Sequence, residues 1–163
     1  MEPLTIIPAT TADADALDTA LRRLAADLDD PYRANADRLA AALSGPEPAC
    51  HALMARPAGA ADQVAGVALF APQFSTIHGV TGVHVSDLWV APERRGTRLG
   101  VRLLASVRDH AARRWGAGFM RLAVYADNTR ARAFYDRLGF RPNPEETYLT
   151  LTGPALAALK GAP

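Results

Sequence analysis

The stretch LWVAPERRGTRLGV, residues 88–101, decides the fold class expected for this chain. It begins with apolar, strand-forming residues, continues through a polar turn, and ends where a long segment with helical periodicity begins. The pattern predicts a buried strand that leads through a basic turn into a helix. The first turn of a helix leaves backbone N–H groups unpaired and carries the positive end of the helix dipole. Such a turn can therefore bind a phosphate-containing ligand.

Glycines and arginines in the turn bear on that ligand. Gly96 and Gly100 lack a Cβ, so the backbone can approach a pyrophosphate closely. The basic residues Arg94, Arg95 and Arg98 can donate charge-assisted hydrogen bonds to it. Taken alone, the turn is explained equally well as a solvated basic loop. Neither the Gly-Lys-Ser/Thr ending of a Walker loop nor the Gly-x-Gly-x-x-Gly spacing of a dinucleotide site is present.

Hydrophobic periodicity elsewhere predicts one α/β domain over residues 1–163, with a single mixed central sheet flanked by helices. The expected order is β-α-α-β-β-β-α-β-α-β. The predicted strands are 4–8, 49–55, 64–70, 83–90, 121–125 and 147–151. The predicted helices are 12–28, 35–43, one that follows the basic turn and stops at Gly116, and one that is capped by residues 127–128. A turn is expected at 56–62, a loop containing 73–76 between two strands, and a short helix or loose tail at the end.

A second motif, DNTRARAFYDRLGF at residues 127–140, follows the basic turn. Together the two segments resemble the Gcn5-related N-acetyltransferase (GNAT) superfamily. The family's acetyl-CoA motif, Gln/Arg-x-x-Gly-x-Gly/Ala, maps to residues 95–100, where Arg98 replaces the middle glycine. The second family motif, Asn-x-x-Ala-x-x-Phe-Tyr-x-x-x-Gly-Phe, matches at Asn128, Ala131, Phe134, Tyr135, Gly139 and Phe140.

The resemblance implies a GNAT-like acyl-CoA N-acyltransferase fold and a transferase that uses acetyl-CoA as cosubstrate. It also implies that strands 83–90 and 121–125 splay apart to admit the pantetheine, so that a backbone N–H can polarise the thioester carbonyl. The residues expected to bind acetyl-CoA are Leu88, Trp89, Val90, Arg95, Gly96, Thr97, Arg98, Leu99, Gly100, Val101, Asn128 and Tyr135. Arg98 could either weaken the approach of the phosphate or add a contact to it.

Acetyl transfer to an amine needs a neutral amine, a polarised carbonyl and a proton for the departing thiolate. Tyr135, at the family's tyrosine position, is the candidate acid, and a buried packing aromatic is the alternative. Asp87 is the candidate for amine recognition or base work, because a carboxylate in an apolar strand is costly unless paired or used. A structural hydrogen bond is its alternative. His84, which shares a face with Ser86 in a regular strand, is a weaker candidate base.

A narrower resemblance is to the diamine and spermidine acetyltransferase branch. It rests on residues 66–70, 74–76 and 85–90. That branch usually carries Glu-Asp where this chain has Ser86-Asp87. The acceptor implied is a primary amine of a small molecule, and residues 28–56 are expected to help build its pocket. A protein amine is the alternative acceptor.

Composition excludes several other classes. A net charge of +1 argues against a dedicated nucleic-acid binder, and the arginines of the long helix read as a solvated face. Only one cysteine, Cys50, is present, and no signal peptide or apolar span is visible, so a cytoplasmic location is expected. The histidines show no metal-ligand spacing. A non-catalytic acetyl-CoA-binding module stays open, and the resemblance favours a homodimer.

Overall fold

The computed structural model describes residues 3–60 and 63–159. The chain divides into two compact units, Met1–Ala123 and Val124–Pro163. The first unit contains β1 (Leu4–Pro8), α1 (Ala14–Leu28), α2 (Ala36–Leu43), β2 (His51–Pro57), β3 (Gly66–Ser75), β4 (Val80–Val90), α3 (Leu99–Trp115) and β5 (Met120–Leu122). The second contains α4 (Thr129–Arg137) and α5 (Gly153–Ala158).

The first unit is built on one five-stranded sheet with the order β1-β2-β3-β4-β5. The first three pairings are antiparallel, and β4 pairs with β5 in parallel. A parallel pair needs a crossover connection, and α3 provides it. The predicted fold class, a mixed sheet flanked by helices, is confirmed.

The main hydrophobic cluster lies between α1, α2 and one face of the sheet. Leu17 and Leu21 of α1 pack with Met54, Val67 and Trp89 of three strands, and all five are buried. The leucine spacing of α1 places these side chains on one helical face. Burial of each large side chain contributes roughly 1.5–3 kcal/mol, so α1 and β4 hold each other in place.

The helical boundaries agree well with the predictions. The predicted start of the first helix is resolved into a 3-10 turn at Thr11–Asp13 followed by α1. The Asp13 carboxylate accepts hydrogen bonds from the backbone N–H of Thr10 at 2.7 Å and from its hydroxyl at 2.9 Å. This capping interaction accounts for the observed start of the helix.

The hairpin of β3 and β4 is longer than predicted. Residues 73–75, expected in a loop, belong to β3 and pair with residues 80–82 of β4. Pro72 lacks a backbone N–H and cannot donate to a neighbouring strand. However, β2 pairs with β3 only as far as Phe70, so the distal part of β3 is an edge where a proline is tolerated.

Two further boundaries differ. The strand predicted at 121–125 is reduced to β5, and residues 147–151, predicted as a final strand, form no strand in the structure. Their apolar alternation suggests a strand, but a strand requires a hydrogen-bonded neighbour that local sequence does not specify. Of the predicted turn at 56–62, residues 56–57 end β2 and residues 61–62 lie outside the described residues. The expected terminal helix is α5, and residues 160–163 also lie outside them.

Neither a membrane span nor a metal cluster occurs within residues 3–60 and 63–159. No helix there is long and apolar enough to cross a membrane. No group of three or more His, Cys, Asp or Glu side chains in that part of the chain is arranged to hold a metal ion.

A cluster of aromatic and histidine rings lies between α3 and the sheet face opposite α1. His51 of β2 lies 5.9 Å from Phe70 and 5.0 Å from Trp115, and His110 of α3 lies 5.3 Å from Phe70. Burial, followed by the charge of His110 and Arg114, lowers the pKa of His51. Burial, followed by the charges of Arg114 and Arg113, lowers the pKa of His110.

These pKa shifts predict a loss of stability in mild acid. The unfolded chain, with histidine pKa values near ~6.5, binds protons that His51 and His110 resist in the folded state. The stabilising contribution of the two neutral histidines should therefore be complete above about pH 7. The free energy of unfolding should then fall as the pH drops through ~6.5. The double variant His51→Phe/His110→Phe should flatten this slope in chemical denaturation. Replacement of exposed His78 by Phe should leave the slope unchanged, and an unaltered slope in the double variant would contradict the interpretation.

Candidate active site

The central strand β4 carries an irregularity at Ser86. Leu69 of β3 pairs with Asp87, but the next residue, Phe70, pairs with Val85. Ser86 is thus an extra residue in β4, which defines a β-bulge. Its hydroxyl donates a hydrogen bond to the Leu69 carbonyl at 3.3 Å. The bulge changes which side chains of β4 share a face.

The bulge places His84 and Asp87 on the same side of the sheet. His84 pairs with Ala71 and Asp87 pairs with Leu69, and these two β3 residues are separated by one position. Because side chains alternate along a strand, both pairs face the α1 side. The expectation that His84 shares a face with Ser86 assumed a regular strand, and the bulge removes the alternation on which it rested.

Asp87 is the main ionisable group on this face. Burial raises its pKa, while the neighbouring Ser86 side chain and the charge of His84 oppose that rise. Among its electrostatic neighbours are Tyr32, in the segment between α1 and α2, and the half-buried thiol of Cys50. Burial and then the charge of Asp87 raise the pKa of Cys50. Asp87 therefore lies where the segment 28–56, predicted to build the acceptor pocket, meets the bulge.

Tyr32 is fixed by a small network on α1. Its hydroxyl donates to Asp18 Oδ1 at 2.8 Å, and Arg22 Nε donates to Asp18 Oδ2 at 2.7 Å. The Arg22 guanidinium also lies 4.7 Å from the centre of the Tyr32 ring. Burial, followed by the hydrogen bond and charge of Asp18, raises the pKa of Tyr32. The phenol is therefore held protonated and oriented by Asp18, and the charge of Asp87 adds a smaller contribution in the same direction.

Beyond the bulge, β4 continues without β5. The last parallel pair is Val85 with Leu122, whereas β4 extends to Val90. Within the described residues, the β5 side of Leu88, Trp89 and Val90 therefore has no strand partner. This open edge arises because β5 ends at Leu122, and the entry of the pantetheine between the two strands stays a prediction.

The chain then passes through a tight turn before α3. Residues 92–94 form a 3-10 turn, and Arg95 lies directly after it. The Thr97 hydroxyl donates to the Arg94 carbonyl at 2.6 Å. Gly96 has φ +81°, and a Cβ there would meet no atom within 4 Å. The backbone at Gly96 is thus accessible to a ligand.

Arg98 occupies a left-handed conformation immediately before α3. Its φ is +64°, and as the N-cap of α3 it makes no side-chain capping bond in the described structure. The first turn of α3, which contains Leu99, Gly100 and Val101, therefore keeps its N–H groups available. A positive φ at this position also gives a physical reason for the glycine of the family motif.

The Arg95 side chain is partly exposed and forms two contacts with other parts of the protein. Its Nε donates to the Val90 carbonyl at 3.0 Å, and its Nη2 forms a short ion pair with Asp27 of α1. The same Asp27 oxygen accepts a hydrogen bond from Trp89 Nε1 at 3.1 Å. The expectation that Arg95 supplies a phosphate contact is thus modified, because its guanidinium already has a carboxylate partner.

The other predicted site residues lie in the second unit. Asn128 is the N-cap of α4, and its Oδ1 accepts a hydrogen bond from the Ala131 N–H at 3.0 Å. Tyr135 lies on the same helix, with its ring 5.2 Å from Phe134 and 5.5 Å from Phe140. Burial raises the pKa of Tyr135. The capped helix predicted from the second motif is confirmed, while the roles of both residues stay predictions.

Two carboxylates of α1 were not identified as site residues from the sequence. Asp18 forms an i,i+4 pair with Arg22 that reads as an ordinary surface pair. Asp27 carries a stronger signal, since an acidic residue in the last turn of a helix opposes the helix dipole. Their partners Tyr32, Trp89 and Arg95 are distant in sequence, so the contacts themselves could not be read from spacing.

The conformation of Arg98 generates a prediction about stability. Arg98→Gly should raise the free energy of unfolding by about 1 kcal/mol, because a side chain in the left-handed region costs about that much. Arg94→Gly, in the adjoining 3-10 turn, is the matched control and should destabilise the protein. Chemical denaturation measures both, and a less stable Arg98→Gly protein would contradict the assignment of strain.

Comparison with known proteins places this geometry in a family. Residues 16–140 match the model of the acetyltransferase (GNAT) family. Three solved structures share the fold at low sequence identity. An integron cassette protein from V. cholerae is 20% identical, with TM-score 0.76 and coverage of 94% of this chain and 95% of that one. A ribosomal-protein-alanine N-acetyltransferase from Brucella melitensis is 19% identical, with TM-score 0.74 and coverage of 91% and 100%. An aminoglycoside acetyltransferase from an uncultured soil sample is 14% identical, with TM-score 0.74 and coverage of 91% and 97%. The chain belongs to the GNAT acetyltransferase family, whose members use acetyl-CoA as acyl donor.

Proposed function

We propose that this protein transfers the acetyl group of acetyl-CoA to a primary amine of a small molecule. The observation that carries the proposal is the bulge at Ser86, which puts the half-buried carboxylate of Asp87 on the α1 side of β4, within electrostatic reach of Tyr32 and just ahead of the basic turn. Strand β4 thus connects Asp87, whose carboxylate can bind an amine, with the basic turn, whose backbone can bind a phosphate.

The first unit offers groups that fit the donor. The N–H groups of the first turn of α3 have no side-chain cap in the described structure, and Gly96 leaves open space. We assign the pyrophosphate to the backbone of residues 96–101, with Arg94 and Arg98 as nearby cations. The edge of residues 88–90 that no strand pairs is assigned to the pantetheine amides, apart from the Val90 carbonyl, which accepts a hydrogen bond from Arg95. Acetyl-CoA supplies an activated acyl thioester there.

Asp87 is assigned to the acceptor. A free alkylamine has a pKa near ~10 and is mostly protonated at neutral pH. An ionised Asp87 attracts the cation, and its raised pKa makes it a better proton acceptor than an ordinary aspartate. Removal of a proton leaves a nitrogen lone pair that can attack the thioester carbonyl directly. His84, on the same face, is a second group through which the proton can pass.

Tyr135 is assigned to protonation of the departing thiolate. Its raised pKa keeps the hydroxyl protonated throughout the neutral range, so a proton is available for donation. The same shift makes donation to a thiolate of pKa near ~8.5 less favourable in equilibrium terms. Tyr135 would therefore have to donate its proton while the bond between the acetyl carbon and the CoA sulfur breaks, rather than to a thiolate that has already formed.

Acceptors of two kinds are represented among the structural neighbours. One neighbour is an acetyltransferase of ribosomal-protein alanine and another is an aminoglycoside acetyltransferase. Both are below 25% identity to this chain, so they share its fold without defining its acceptor. The half-buried carboxylate and phenol favour a compact cationic amine, and the diamine or spermidine type is the first to test. We further propose a single functional domain over residues 1–163, a cytoplasmic location and a homodimer.

A thiol-release assay with acetyl-CoA and a panel of amines tests the proposal. The panel should contain diamines, amino sugars, amino acids and peptides with a free N-terminus. Release that depends on a small amine supports the proposed reaction. Release with peptides alone supports a protein acceptor, and binding of acetyl-CoA without release on any amine supports the non-catalytic alternative.

Asp87→Asn should selectively impair the acceptor. Loss of the charge should raise the KM for a cationic amine roughly 10-fold or more while changing the KM for acetyl-CoA little. In the wild type, the acid limb of kcat/KM should lie above the ordinary aspartate pKa of ~3.9, and the variant should lack that limb. Asp37→Asn on α2 removes an exposed carboxylate as a control. Equal KM values for the amine in wild type and Asp87→Asn would make Asp87 structural.

Tyr135→Phe should slow the chemical step. The ring is retained, so acetyl-CoA binding should survive, whereas kcat should fall roughly 10-fold or more because general-acid help is lost. Tyr148→Phe, which removes a hydroxyl from an exposed tyrosine of the same unit, is the control. Near wild-type turnover under conditions where chemistry is rate-limiting would leave Tyr135 as a packing residue.

A further inference from the structure

The carboxylate of Asp27 lies at an electrostatically unfavourable place in its helix. Asp27 is in the last turn of α1, where the helix dipole is negative, and that turn contains no basic residue. The helix ends at Asp29, which adopts a left-handed conformation with φ 56°. An aspartate here costs stability unless partners from outside the helix offset the cost.

Two partners from the β4–α3 segment offset the cost of placing Asp27 at the end of α1. The Oδ2 atom of Asp27 accepts the indole N–H of Trp89 and also pairs with the guanidinium of Arg95. Trp89 is 2% exposed, so its hydrogen bond has a fixed position in the core. The side chains of Arg95 and Asp27 are 32% and 38% exposed, which leaves their pair accessible to solvent. A single oxygen thus joins α1, β4 and the turn.

Arg95 transmits this attachment to the turn. Its Nε donates to the Val90 carbonyl at the end of β4, and its own backbone immediately precedes Gly96. The guanidinium therefore spans the turn from its entry to the residue before its most accessible glycine. With Arg95 held in this way, the path of residues 96–98 into α3 is restricted.

We propose that Asp27 is a positioning residue, which acts through Arg95 to hold the turn at 96–98 in the conformation that receives the pyrophosphate. This inference rests on the proposed function, since it concerns the binding of acetyl-CoA. It gives α1 a second role beside its packing against the sheet. Asp27 makes no contact with the ligand in this account.

The direction of the change in acetyl-CoA affinity distinguishes a positioning role of Asp27 from a simple charge effect. If Asp27 acted only as a negative charge near the phosphates, its removal would free Arg95 and tighten acetyl-CoA binding. If it positions the turn, removal weakens binding. Asp27→Ala should therefore raise the Kd for acetyl-CoA about 3- to 10-fold, a modest effect because the ion pair is partly exposed. The KM of the amine should change little.

Calorimetry with acetyl-CoA on the full chain provides the test. Asp29→Asn is the matched charge control, because it removes a carboxylate at the same helix end while asparagine tolerates the left-handed conformation. Asp27→Asn and Asp27→Glu extend the series, and partial recovery by Glu is expected. These two milder variants carry the comparison if Asp27→Ala folds poorly. Thermal unfolding of each variant separates binding from stability.

A double-mutant cycle with Arg95→Ala tests the route. If Asp27 acts through Arg95, Asp27→Ala should weaken binding in the wild-type background and have no further effect when residue 95 is alanine. Unchanged or tighter binding by the Asp27 variants, with the wild type binding normally, overturns the inference and leaves the proposed function intact. Additive effects of the two substitutions also overturn it. Absence of acetyl-CoA binding by the wild type overturns the proposed function together with this inference.

Discussion

One extra residue in β4 determines the arrangement on which the candidate site depends. The bulge at Ser86 shifts the pairing with β3 by one residue, so that His84 and Asp87 face the same side. The parallel pairing with β5 ends at Val85, immediately before that residue. The strand is thus regular where it holds the sheet together and open where it approaches the basic turn. In a regular strand His84 and Asp87, three residues apart, would face opposite sides of the sheet.

The position of Asp87 involves a balance of energies. Burial penalises the carboxylate, whereas the neighbouring Ser86 side chain and the charge of His84 reduce that penalty. A more exposed aspartate would be ionised at lower pH, and water would compete with the amine for hydrogen bonds to its carboxylate. A fully isolated one would remain neutral and attract no cation. The partial compensation seen here suits a group that both attracts a cation and accepts a proton.

Helix α1 connects stability to the site. One face of it buries Leu17 and Leu21 in the core, and its polar positions supply Asp18 to Tyr32 and Asp27 to the turn. The hydrophobic face fixes the helix against the sheet, so the two carboxylates are held at defined places without being buried themselves. Substitutions on the apolar face should therefore disturb both ends of the site together.

Features that depend on a few neighbouring residues could be predicted from the sequence. The strand, turn and helix at 88–101 and the helix capped by Asn128 could be predicted because periodicity, glycine and capping act over a few residues. The extent of β3 and β4, the absence of a strand at 147–151 and the shortening of β5 could not, because pairing depends on distant neighbours. The sequence identified Asp87 as an unusual carboxylate, but it did not identify the residues that surround Asp87. The bulge at Ser86, the shared face of His84 and Asp87, and the contact of Asp27 with Arg95 became visible only in the folded chain. Each of these depends on register or packing between segments far apart in the chain, which no local pattern encodes.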